Sequence, residues 1–105
     1  MITSGRGKYK VWLSSHWIGD DLVFFLGGGE RAHVGAVVIA EPGKKIMTIK
    51  LSGHYDHVVL KPIAEAACQK YKTKVIAIGG VHVDYASKEE IRILVDNCAQ
   101  LLPKI

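Results

Sequence analysis

Midway along this chain the spacing of its apolar residues changes. Up to residue 51 they come in short runs and in alternations of period two; beyond residue 56 they recur three or four positions apart. Strand patterning followed by helical patterning restricts a short chain to a sheet with helices laid on it. Residues 8–13 and 21–26 are rich in β-branched, aromatic and long apolar side chains, and residues 14–20 read as the loop between them. Gly27-Gly28-Gly29 ends the second run, and HVGAVVIA makes a third over residues 33–40, closed by the turn signal Glu41-Pro42-Gly43. In the fourth, residues 46–51, Met47, Ile49 and Leu51 alternate with Thr48 and Lys50. Such short connections predict a four-stranded antiparallel meander, because a parallel pair needs a crossover of about a dozen residues or more.

The second half predicts α-β-α. Over residues 56–71, Val59, Ile63, Ala66, Ala67 and Cys68 fall near helical spacing, with Pro62 either kinking the helix or marking a regular part that starts at Lys61. Val75-Ile76-Ala77-Ile78 reads as a buried strand, interrupted by Gly79-Gly80 and resumed by Val81-His82-Val83. Ser87-Lys88-Glu89-Glu90 is a capping box that opens a second helix. Ile91, Leu94, Val95, Cys98, Leu101 and Leu102 form its apolar stripe, and Pro103 ends it. The predicted class is α/β (α+β), with both helices on one face of a mostly antiparallel sheet. The other sheet face also reads as apolar, which predicts self-association over it into a homo-oligomer.

At 105 residues, 49% of them hydrophobic, the chain has the size of one domain (residues 1–105) and enough apolar side chain to build its own core. No apolar run approaches the ~20 residues that cross a bilayer, and the first nine residues lack the apolar stretch of a secretory signal. Cys68 and Cys98 form neither a CxxC motif nor a disulfide framework, so a cytoplasmic location is expected. The 14 Lys+Arg against 10 Asp+Glu are scattered, with no aromatic ladder between them, which argues against nucleic acid as a partner.

The residues with chemistry to offer lie in three glycine-flanked turns. The first is Gly27-Gly28-Gly29-Glu30 with His33; its spacing is not GxGxxG. Consecutive glycines let the backbone approach a ligand and aim N–H groups at an anion. The second is Gly53-His54-Tyr55-Asp56-His57 at a predicted helix start, where Asp56 reads equally as a cap. The third is Gly79-Gly80-Val81-His82-Val83-Asp84, in which an extended chain would put His82 and Asp84 on one face. Two chemistries suit this set: a divalent-metal site, although H-x-D-H is not a zinc spacing, and a metal-free pocket for a polar, phosphate-bearing ligand. No GxSxG elbow supports a serine nucleophile, and the serines have turn or cap explanations.

The segments GGGERAHVGAVVIA, LSGHYDHVVLKPIAEAACQKY and VIAIGGVHVDYASKEEIRILVDNCAQLL, in that order, resemble the LpdD-like prenylated-flavin chaperones. Those are small α/β proteins related in fold to proteasome-assembly chaperones. The resemblance implies a non-catalytic accessory protein that binds prenylated FMN (or FMN) and helps UbiD-type decarboxylases acquire it. Carried onto this chain, it marks Gly28, Gly29, Glu30, His33, Gly53, His54, Asp56, His82 and Asp84 as the cofactor-binding set, with no catalytic and no metal residues. A phosphate would then suit the glycine-turn amides, and a flavin ring an apolar wall such as Trp12, Phe24 or Phe25. The alternatives are a metal-dependent hydrolase or lyase using His54, His57, His82 and Asp84, and a protein-assembly chaperone without a small-molecule ligand.

Overall fold

The computed structural model describes residues 1–51 and 55–105. Its strands are β1 (Ile2–Ser4), β2 (Val11–Ile18), β3 (Asp21–Gly28), β4 (Arg31–Ala40), β5 (Met47–Lys50) and β6 (Val75–His82), and its helices α1 (His57–Tyr71) and α2 (Lys88–Ala99). The six strands make one sheet in the order β1-β2-β3-β6-β4-β5. Neighbours run antiparallel except β3 and β6, which are parallel. The expected α/β class and mostly antiparallel sheet are present, but the uninterrupted meander is not: β6 lies between β3 and β4.

The reason is the two-sided apolar character of β6. A strand of Val, Ile and Ala gains most where both faces and both edges are covered, at the centre of a sheet. The chain accommodates it by passing over the end of β6 on the way from β3 to β4. Gly29 bridges to His82 there, and the Glu30 amide donates to the His82 carbonyl at 2.7 Å. β5, exposed along its whole length, is left at the edge.

Three local expectations are corrected. The loop expected over residues 14–20 is mostly strand, since β2 runs to Ile18, pairs it with Asp21 and turns through Gly19-Asp20. Polar residues in a strand with an open face look like a loop in sequence. β1 was not expected at all. α1 continues through Pro62 from His57, with no restart at Lys61.

One sheet face carries the core. Val11 and Leu13, Leu22, Phe24 and Leu26, Ala36, Val38 and Ala40, and Val75 and Ala77 are all buried there, beneath Leu60, Ile63, Ala64 and Ala67 of α1 and Leu94, Cys98 and Leu101 of the α2 segment. Ser87 and Glu90 form the expected capping box, each side chain accepting the other's amide at 3.1 Å. The apolar stripe of α2 is divided, however. Leu94, Cys98 and Leu101 enter the core, whereas Ile91 and Val95 remain 51% and 38% exposed.

Candidate functional site

Ile91 and Val95 face a cleft of about 420 Å³ between the first turns of α1 and α2. Tyr55, Val58 and Val59 line it from the α1 side, and Tyr85, Ala86, Ile91, Leu94 and Val95 from the α2 side. Between them lie the end of β6, with Val81, His82 and Val83, and two polar residues, His33 of β4 and Asp56 at the start of α1. Volume and composition are those of a small-molecule site, with apolar walls and a few convergent polar groups.

Asp56 organises the polar end. It occupies the N-cap position of α1, yet its carboxylate makes no capping bond to the helix. Instead Oδ1 accepts the Val81 amide at 3.0 Å and Oδ2 is 2.8 Å from His33 Nε2. Burying a carboxylate requires such partners, because it would otherwise lose its hydration without replacement. Two glycines leave room for the pair. A β-carbon on Gly35 would run into Asp56 Oδ2, and one on Gly80 would stand 2.5 Å from His33 Nε2 and 2.7 Å from Asp56 Cγ. In the sequence Gly80 reads as a strand interruption that flanks the third candidate turn, and Gly35 carries no assignment. The available signal was a glycine inside an otherwise apolar strand, which marks close approach by another group.

A second network leads outward. His82 Nε2 is 2.9 Å from Asp84 Oδ1, and Arg31 Nη2 donates to the same oxygen at 2.5 Å. Glu30 Oε1 accepts the Asp84 amide at 2.9 Å, tying the first turn to the third. The His82 bond, then the Arg31 bond, hold the Asp84 carboxyl below the ordinary carboxylate range. The rings of His33 and His82 lie 5.8 Å apart, so the two networks meet at the cleft.

His33, Asp56 and His82 thus share one cleft, while Glu30 and Asp84 support it from the rim. Gly28 and Gly29 are engaged through their backbones at the end of β3. Gly28 pairs with Val11 in the sheet, and the Gly29 amide donates to the Lys10 carbonyl at 2.9 Å. With the Glu30 amide also taken by His82, the expected anion cradle in this turn is not formed. A side chain at Gly29 would collide with the His82 backbone, so close strand approach accounts for this glycine. Gly53 and His54 lie outside the described residues.

The aromatics expected as a wall, Trp12, Phe24 and Phe25, do not line this cleft. Phe24 is in the core, Trp12 packs over Gly27, and Phe25 lies on the opposite sheet face. The cleft walls are the valines, Ile91, Leu94 and the two tyrosines. Among the described residues, no three of His, Cys, Asp and Glu come together as a metal-holding group.

Over 98% of this chain and 88% of the other, the fold superposes with a TM-score of 0.59 on a chain from the crystal structure of a chaperone complex for yeast 20S proteasome assembly. Identity is 12%, so the likeness is one of fold. No curated protein sequence matches. Residues 5–105 match the prenylated flavin chaperone LpdD-like domain, and the chain belongs to that family.

Proposed function

We propose that this protein binds prenylated FMN in the cleft between α1 and α2 and passes it to a UbiD-type decarboxylase, without catalysing a reaction itself. The observation that carries the reading is the convergence of His33 from β4, Asp56 from the start of α1 and His82 from the end of β6 on one apolar cleft. Valines, Ile91 and Leu94 shelter a planar ring from water, and Tyr55 and Tyr85 offer aromatic faces at the same cleft. His82 lines the cleft, is held through Nε2 by Asp84, and has a second ring nitrogen able to hydrogen-bond a polar ring edge. Holding and shielding a reactive cofactor needs these features and no nucleophile.

The protein is a cytoplasmic homo-oligomer in this reading, assembled through the open sheet face, where Ile18, Phe25, Met47 and Ile49 are exposed. Titration with prenylated FMN, followed by absorbance and thermal unfolding, tests the binding. At 100 times its dissociation constant the ligand adds about 2.7 kcal/mol of apparent stability. The loaded protein then restores activity to a cofactor-free decarboxylase. Absence of both an absorbance change and a stability change with flavin nucleotides removes the proposal.

A further inference from the structure

We infer that the cleft recognises the ring end of the flavin and leaves its phosphate in solvent; this rests on the flavin reading above. Among the described residues, the donors nearest the cleft that could hold a phosphate are engaged or flanked by carboxylates. The Gly29 and Glu30 amides donate to the carbonyls of Lys10 and His82. In the first turn of α1, the Val58 amide donates to Tyr55 and those of Val59 and Leu60 to Asp56. The start of α2 is closed by its own capping box and carries Glu89 and Glu90, which repel an anion. Arg31, paired through Nη2 with Asp84, stands outside the cleft lining.

The electrostatics agree. None of the described residues lining the cleft is a lysine or arginine, and its polar end holds the Asp56 carboxylate together with His33 and His82. The nearby cations lie outside that lining: Arg31 on Asp84, and Lys50 with Nζ 5.5 Å above the Tyr55 ring. A phosphate driven inward would face the Asp56 carboxylate, with no lysine or arginine among the described lining residues to offset it. A flavin ring edge carries N–H donors and carbonyl acceptors that match a carboxylate and imidazoles, and its faces match the apolar walls. An outward phosphate is then free for the acceptor enzyme to grasp while the ring is still held.

Equilibrium binding of prenylated FMN and of the same compound after phosphatase treatment tests this. The two should bind within about threefold of each other, millimolar inorganic phosphate should displace neither, and raising salt should change affinity by less than about threefold. Ile91→Asp, at an exposed position where unfolding is not expected, should weaken both forms at least about tenfold. Tight binding of the nucleotide with a loss of more than about thirtyfold on dephosphorylation overturns the orientation and leaves the flavin reading intact. Nucleotide binding unaffected by Ile91→Asp also overturns it. If neither form binds, the flavin reading fails and this inference with it.

Discussion

A hydrogen atom at position 80 is the condition for the buried carboxylate. Gly80 and Gly35 leave the volume in which Asp56 meets His33, and Asp56 in turn accepts the Val81 amide. Gly80→Ala forces a β-carbon against both side chains of the pair. Overpacking of this kind costs about 1–3 kcal/mol. We expect that loss in urea unfolding, together with weaker flavin binding, because the polar end of the cleft must rearrange. Unchanged stability and affinity would show that the pair is looser than the distances imply. The histidines and aspartates were legible in the sequence as candidates, since polar residues beside glycine turns stand out from apolar runs. Their partners were not: nothing in the spacing says that His33 takes Asp56 while His82 takes Asp84.

At the scale of single elements, the start of α2 is the best-determined piece of the molecule. The capping box is a local pattern, satisfied within four residues, so it could be read directly. Ser87→Ala should cost about 1 kcal/mol in unfolding free energy. Tertiary structure adds Lys8, 2.9 Å from Glu90 Oε2, and Tyr9, whose hydroxyl donates to the same oxygen. The Lys8 bond, then the Ser87 amide and Tyr9, pull the Glu90 carboxyl down to about 2 from 4.5. A carboxyl depressed in the folded state stabilises above its unfolded pKa and loses that contribution as pH falls through the folded one. Unfolding midpoints should therefore decline between about pH 4.5 and 2, and Glu90→Gln should flatten that decline. An equal slope in the variant would remove Glu90 from the acid transition. The divided stripe of α2 shows where element-level reading stops. Periodicity identifies one apolar face, but Ile91 and Val95 are turned to the cleft by where α1 ends up, not by their spacing.

For the molecule as a whole, the Cα framework is a slab 38 × 27 × 19 Å, with helices on one broad face only. The other face presents Trp12, Ile18, Val23, Phe25, Val37, Ile39, Ile49, Ile76 and Ile78, with Asp21 and His16 as its titratable groups. The broad face of such a slab, 38 × 27 Å, is large enough for the ~800 Å² that each partner buries in a standard interface. We expect wild-type protein to sediment as an oligomer at micromolar concentration and Phe25→Asp to shift it to monomer, with the circular dichroism of the fold retained. Monomeric wild type in sedimentation would end the self-association proposal.

Local patterns were enough for most element types, the capping box of α2, the apolar second face and the polar residues worth watching, because each depends on neighbours within a turn or a strand. The family resemblance was also carried by short segments in order. Strand order, the insertion of β6 between β3 and β4, the cleft walls and the engaged glycine amides depended on contacts between residues far apart in the chain. Those follow from which burial arrangement covers the most apolar surface at once, a property of the assembled sheet and helices that no window of sequence contains.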